Sequence, residues 1–242
     1  MITKSIFKIH SLFYIVAFIC FLTGYFKNFV IFSSIILFHE MGHILIGCLF
    51  KWKIERVVIL PFGGITLFNE KIDKPLLEEF LIAIAGPLFQ IVYLFMYKNN
   101  IDFFNYNITI LIFNLLPMYP LDGSRILNII FNKVFSFKFS HILSIFVSFI
   151  ICLLFIIFNM NKFNLLLCFI IFFIMLEIFR ETSKHNHYFN KFLLEKYLYN
   201  KKYKNRKIIN KIDKMKKQTT HIFKIQNNCY TEREIIRNLF DK

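Results

Sequence analysis

Cysteine is scarce and scattered: of five residues in the chain, Cys20, Cys48, Cys152 and Cys168 lie within apolar blocks and Cys229 in a polar one. With no CxxC pair, a disulfide framework and a cysteine-based zinc site are both excluded. Carboxylates are also few, 15 Asp and Glu against 30 Lys and Arg, which leaves a net charge of +15. The 7 glycines and 5 prolines form no flexible linker, and no internal repeat is present, so a tethered array of modules is excluded. The basic residues sit in no recognisable base-reading motif, and direct nucleic-acid binding is not expected. An apolar stretch follows Lys4 and Lys8, but Leu22-Thr23-Gly24-Tyr25 offers no convincing small-residue cleavage site, so this stretch reads as a retained first span.

What the chain has in abundance is apolar sequence, 57% of residues with 34 Phe, arranged in long blocks rather than short alternations. Blocks of about 17 to 25 residues match the hydrocarbon core of a bilayer. They run near Phe7 to Tyr25, Val30 to Phe50, Leu76 to Met96, Phe103 to Phe131 with a break, His141 to Phe158, and Phe163 to Phe179. The expectation is an all-α membrane protein of about six transmembrane helices with a broken fourth span. Residues 1–180 would form the membrane core and residues 181–242 a small basic cytoplasmic tail. Lys51, Lys53, Arg56, Lys71, Lys74, Lys133 and Lys138 fall in one set of connections, against Lys27, Lys98 and Lys162 in the other. That bias, with the basic tail, places both termini in the cytoplasm. From Glu181 onward sixteen Lys and Arg face six Asp and Glu, so the tail carries +10 and is expected to meet an anionic lipid surface. Within it, Phe189 to Ile209 and Tyr230 to Phe240 read as helical.

Inside the second block lies His39-Glu40-Met41-Gly42-His43, with nine residues before it and seven after it. The motif therefore falls near mid-membrane. Residues four apart share a helical face, so His39 and His43 present two imidazoles to one metal while Glu40 stands beside them. By chance alone such a short pattern is common, but its cost here is not. A charged side chain at mid-bilayer costs roughly 2.5 to 3.5 kcal/mol, whereas each Leu, Ile, Phe or Val returns only about 0.3 to 0.6. Binding of zinc, worth roughly 10 to 16 kcal/mol in small peptide sites, offsets such burial.

Catalytic zinc takes three protein ligands and leaves one position open, so a third ligand is needed elsewhere. The fourth block contains Asn114-Leu115-Leu116-Pro117-Met118-Tyr119-Pro120-Leu121-Asp122-Gly123, where two prolines interrupt the apolar run just before a carboxylate. Broken backbone is tolerated at membrane depth only where protein or a water-filled cavity surrounds it. Asp122 is then the third ligand, a helix cap, or a carboxylate paired with Arg125 at the membrane edge. Asn114 either hydrogen-bonds the broken backbone or holds substrate or metal-bound water.

Two separated motifs in this order resemble the site-2 proteases, zinc metalloproteases that cut within the membrane. Their signature is HExxH on one span and an Asn-Pro-Asp-Gly type motif on a later one; His39, Glu40, His43, Asn114, Pro117, Pro120, Asp122 and Gly123 match it. The resemblance is nearest to the sporulation branch, through Leu60-Pro61-Phe62-Gly63-Gly64, Ala85-Gly86-Pro87, Asn114 to Gly123 and Phe192-Leu193-Leu194-Glu195-Lys196-Tyr197. Ser124 stands where that branch tends to carry a second glycine, and the stretch after Tyr197 is short for its nucleotide-sensing CBS domain.

The resemblance implies one zinc per chain on His39, His43 and Asp122, with Glu40 as the base in peptide hydrolysis. It implies a membrane-associated pro-protein as substrate, in this branch a sigma-factor precursor, and inhibitory membrane proteins as partners. The implied location is the mother-cell membrane around the forespore. Gly63 and Gly64 either make a tight turn or form a re-entrant hairpin that receives extended substrate. Ala85-Gly86-Pro87 reads as a close-packing and kink element, and Glu78 and Glu79 as helix-dipole residues. His10 and His141, near span ends, and His185, His187 and His221, in the tail, have no ligand-like partner at helical spacing and read as interfacial or solvated. A proton-coupled transporter is the competing class, but it has no need of two histidines one helical turn apart.

Overall fold

In a computed structural model of the protein, the described residues are 7–60, 63–69, 71–97, 99–159, 165–199, 201, 203–225 and 228–240. The chain divides into two compact units, one from Met1–Glu70 with Phe80–Leu115, the other from Lys71–Glu79 with Leu116–Lys242. Helices dominate, as expected, but the all-α expectation is corrected by two three-stranded sheets.

The first unit opens with β1 (Phe7–Ile9) and α1 (Ser11–Leu22). The expected first span is thus shortened: its first residues pair with a later strand, and twelve helical residues cover only about 18 Å. Helix α2 (Phe26–Leu49) follows, an apolar run with no proline to break it. It stops because Lys51 turns left-handed, at φ 58°, with Lys51 N–H donating to the Cys48 carbonyl and Trp52 N–H to that of Gly47. This crossed pair is a Schellman close, which reverses the chain.

The reversal leads into β2 (Ile54–Leu60) and β3 (Gly63–Phe68), which pair antiparallel with Leu60 opposite Gly63 and Ile59 opposite Gly64. The β-branched residues Ile54, Val57, Val58 and Ile59 favour strand over helix here. The parallel partner β1 lies on the other side of β2, so β3 is an edge strand. The expected hairpin after the second span is therefore present; Pro61 and Phe62 lie outside the described residues. Helices α3 (Leu76–Met96) and α4 (Ile101–Leu115) complete this part of the chain. Their packing with α2 buries Ile35, Phe103 and Ile110, and Phe38 stacks on Tyr93 at 4.3 Å between ring centres. At Gly42 the crossing of α2 with α3 is backbone to backbone: a Cβ there would lie 2.5 Å from the Ala85 carbonyl oxygen.

In the second unit, α5 (Asp122–Val134) begins after a break at Leu116–Leu121, followed by α6 (Phe137–Phe158) and α7 (Leu165–Tyr199). The start of the expected sixth span, Phe163, lies outside the described residues. Helix α7 ends at Tyr199 rather than continuing to Ile209, because Arg206–Ile209 forms β4 and pairs parallel with β5 (Thr220–Ile225). Strand β6 (Asn228–Thr231) and α8 (Glu232–Phe240) close the chain, the latter as expected from sequence. Alternation in β5, where His221 and Phe223 are buried, places one face of this sheet on a core of Phe137, Phe189, Phe192, Leu193, Met215 and Ile236.

Among the described residues, α2, α3 and α6 are long and apolar enough to cross a membrane; the apolar segments Phe13–Leu22 and Ile101–Leu115 are shorter. Lys71–Glu79, the segment joining β3 to α3, is held by the tail. Asp73 receives Lys196 Nζ at 3.3 Å, the Tyr203 hydroxyl at 2.8 Å and Gln218 N–H at 3.1 Å, while Glu195 accepts the amides of Ile72 and Asp73. Lys217 Nζ reaches Glu79 at 2.6 Å, and Lys71 sits over the Tyr199 ring. Burial, and then the hydrogen bond donated to Asp73, hold the Tyr203 phenol above its ordinary range, so it remains a donor at neutral pH. Part of the tail's positive charge is thus spent internally.

Removing one partner of a buried ion pair costs about 3–5 kcal/mol. Lys196→Met, which strands the buried Asp73, is expected to lower thermal stability in detergent and speed hydrogen exchange at residues 72–74. Lys138→Ala, whose partner Asp213 is 59% exposed, should shift neither measurably.

Candidate metal centre

One turn of α2 places His39, Glu40 and His43 together inside the first unit, at 3%, 5% and 2% exposure. Their candidate ligand atoms all lie within 4.8 Å of one another. The two imidazoles meet through Nε2, 3.1 Å apart. Their other nitrogens determine what those Nε2 atoms are. His43 Nδ1 is 2.7 Å from the Ile82 main-chain oxygen, which only accepts, so Nδ1 carries the proton. His39 Nδ1 lies 2.9 Å from the side-chain oxygen of Gln90, and it too donates. Each Nε2 is therefore the lone-pair nitrogen. Two lone pairs converging in an apolar interior repel unless a cation or proton lies between them. Nitrogens on one tetrahedral zinc, with bonds of about 2.0–2.1 Å, stand about 3.3 Å apart. The donor set fits that ion, with the second-shell acceptors that metal-binding histidines require.

Space for this arrangement comes from missing side chains. A Cβ on Gly86 of α3 would lie 2.7 Å from His39 Nε2 and collide with His43 Nε2. The Ala85-Gly86-Pro87 element is thus a packing element, and what it packs against is the imidazole pair itself. On β3, a Cβ at Gly64 would lie 2.7 Å from Glu40 Oε1, whereas Gly63 has open space around it. Thr66, on the same face of β3 as Gly64, donates its hydroxyl to Glu40 Oε2 at 2.6 Å and is 1% exposed. One carboxylate oxygen is held, and the other faces the bare strand.

The remaining sequence-identified residues are placed as follows. Asn114 is half-buried near the end of α4. Pro117 and Pro120 lie in the break, with a cis peptide between Tyr119 and Pro120. Asp122, 8% exposed, is the first residue of α5, followed by the buried Gly123. A carboxylate in that first turn is also favoured by the helix dipole. Ser124 is fully buried and donates its hydroxyl to the Leu121 carbonyl at 2.7 Å, a bond that a glycine there would lack.

Sequence reasoning missed Thr66, Gln90 and the Ile82 carbonyl. A signal existed for two of them: Gln90 lies one helical turn beyond Gly86, and Thr66 two strand positions beyond Gly64. Of the histidines expected to be interfacial or solvated, two are buried and need correction. His141 Nδ1 is 2.9 Å from His185 Nδ1 and its Nε2 is 3.1 Å from Glu181. His221, 1% exposed, donates from Nδ1 to Glu232 and accepts the Lys216 amide.

Gly63 and Gly64 separate cleanly by experiment. Gly64→Ala is expected to lower hydrolysis at least 10-fold with zinc content unchanged, whereas Gly63→Ala should leave both near wild type. Gly86→Ala should lower zinc affinity by about 10- to 100-fold in chelator competition, the range that disturbed metal surroundings produce.

The sequence profile of peptidase family M50 matches residues 27–98, which include His39, Glu40, His43, Gly64, Thr66, Gly86 and Gln90. Stage IV sporulation protein FB of Bacillus subtilis is 34% identical over 213 residues, 78% of this chain and 70% of its own length. A zinc metalloprotease of Methanocaldococcus jannaschii is 34% identical over 122 residues, 45% of this chain and 35% of that protein. The solved site-2 protease from Methanocaldococcus jannaschii is similar with a TM-score of 0.57 and 25% identity, over 72% of this chain and 89% of that one. The buried histidine pair, its neighbouring glutamate and these likenesses lead to one conclusion: the chain belongs to peptidase family M50, the site-2 proteases, and is an intramembrane zinc metalloendopeptidase.

Proposed function

We propose that this protease hydrolyses a peptide bond of a membrane-associated pro-protein, and that its substrate is a sporulation sigma-factor precursor. The carrying observation is the convergence of His39 and His43 Nε2 at 3.1 Å beside Glu40. The choice of substrate is supported by the identity with stage IV sporulation protein FB along most of both chains. In this reading Asp122 is the third metal ligand, and Pro117, Pro120 and Gly123 shape the break that presents it. Asn114 holds substrate or water nearby, and Gly63 and Gly64 receive an extended substrate strand. The chain crosses the membrane six times with both termini cytoplasmic, in the mother-cell membrane around the forespore. Inhibitory membrane proteins restrain it, and its basic tail meets anionic lipid. A second reading, a housekeeping role on an anti-sigma factor or a signal-peptide remnant, is supported by the similarity to an archaeal zinc metalloprotease.

Zinc, when bound, supplies Lewis-acid polarisation and a water of lowered pKa. The residues do the rest. Thr66 occupies Glu40 Oε2, which leaves Oε1 to take a proton from the attacking water above Gly64. Glu40 then hands that proton to the leaving amine. Because Gly64 contributes no side chain, a substrate backbone can approach this oxygen closely. A helical substrate must first unwind there, since its carbonyls are otherwise hydrogen-bonded.

The test uses purified full-length protein in detergent with a tethered pro-sigma-type substrate, beside an anti-sigma factor and a signal-peptide remnant. Glu40→Gln is expected to keep about one zinc per chain and lose cleavage; Asp122→Ala should lose both. Normal cleavage by Glu40→Gln would remove Glu40 as the base, and full zinc in Asp122→Ala would remove Asp122 as a ligand. Preferential cleavage of the signal-peptide remnant or the anti-sigma factor would favour the housekeeping reading.

A further inference from the structure

We propose that Gln90 is the positioning residue for His39 and that Asn107 locks it in that role, so a two-residue relay outside the ligand set governs how firmly the site keeps its metal. The inference rests on His39 being a ligand, not on the identity of the substrate.

Gln90 and Asn107 are both 0% exposed, in helices α3 and α4 whose sequences are otherwise largely apolar. A buried amide without partners costs stability, so both ends of the Gln90 side chain must be satisfied. Its Nε2 donates to the Asn107 main-chain oxygen at 2.9 Å and to Asn107 Oδ1 at 3.3 Å. Flipping the Gln90 amide would turn its oxygen toward two acceptors and its NH2 toward a histidine nitrogen. Asn107 therefore fixes which end faces α2. The end that does is Oε1, which accepts the His39 Nδ1 proton at 2.9 Å and directs the Nε2 lone pair at His43 Nε2.

The two imidazoles are not held alike. His43 depends on a main-chain oxygen that substitution cannot remove, whereas His39 depends on a side chain. The adjustable part of the centre is Gln90. Leu at this position removes the acceptor, frees the His39 tautomer and ring orientation, and weakens its hold on the metal. Glu retains an acceptor at the same distance along the side chain but has no N–H for Asn107. Among the described residues the Asn107 side chain hydrogen-bonds only with Gln90, so its effect on the metal passes through Gln90.

The experiment follows release of zinc from full-length protein in detergent to a chromophoric chelator, with helicity and thermal stability measured on each variant. Gln90→Leu is expected to release zinc about 10- to 100-fold faster than wild type. Asn107→Leu should accelerate release by a smaller factor and add nothing further in the Gln90→Leu background, and Gln90→Glu, which keeps the acceptor for His39 but loses the donor to Asn107, should release more slowly than Gln90→Leu. A merely structural role would lower thermal stability in both leucine variants and leave zinc release from the folded protein unchanged. Equal release by wild type and a folded Gln90→Leu would overturn the proposal. Should Gln90→Leu fail to fold, Gln90→Met, which likewise lacks the acceptor, decides in its place: faster release supports the positioning role and an unchanged rate ends it. His39→Ala separates the two readings, because undiminished zinc retention in that variant would remove His39 as a ligand instead.

Discussion

Two imidazole nitrogens brought within 3.1 Å in an apolar helix make the constraint on which the rest of the first unit depends. Neither can turn away, because each ring is held from behind by an oxygen, one from Gln90 and one from Ile82. Three glycines follow from that constraint. Gly42 lets α2 and α3 touch through their backbones, Gly86 leaves room for the imidazoles, and Gly64 leaves room for the Glu40 carboxyl. Four of the chain's seven glycines lie elsewhere, and Gly63 directly beside Gly64 meets nothing within 4 Å. Close approach is also needed at Gly47, where a Cβ would lie 2.6 Å from the Phe68 ring, so the need is selective rather than general.

The second unit follows a different logic. It combines apolar helices with a small mixed sheet, and Phe192, Phe223 and Met215 are buried together in its core. Its link with the catalytic chemistry runs along the backbone. Lys71–Glu79 lies between the strand that carries Gly64 and Thr66 and the helix that carries Gly86 and Gln90, and the tail fastens this segment with Asp73, Glu79, Lys196 and Lys217. Desolvated charges so paired favour one arrangement of the segment over others rather than adding much net stability.

Sequence reasoning finds the buried cluster of His39, Glu40 and His43 because HExxH on an apolar run combines a helical spacing with an energetic anomaly. It also reads the break before Asp122, where α4 stops at Leu115 and α5 starts at Asp122, since two prolines cannot continue a helix. It fails where the signal is not periodic. The first apolar block is divided because Phe7–Ile9 pairs with Val57–Ile59, a contact some fifty positions away that composition cannot reveal. Strands β4 and β5 are hidden among lysines that make the tail look solvated, although Lys196 and Lys217 are buried and paired. Gln90 and Asn107 stand out only as polar residues in apolar helices, and which histidine they serve is a matter of tertiary packing.

X-ray absorption at the zinc edge of the purified full-length protein in detergent tests the metal centre most directly. The account predicts a first shell of nitrogen and oxygen at about 2.0–2.1 Å with the outer-shell scattering of two imidazoles. A sulfur shell at about 2.3 Å, or a single imidazole, would contradict it.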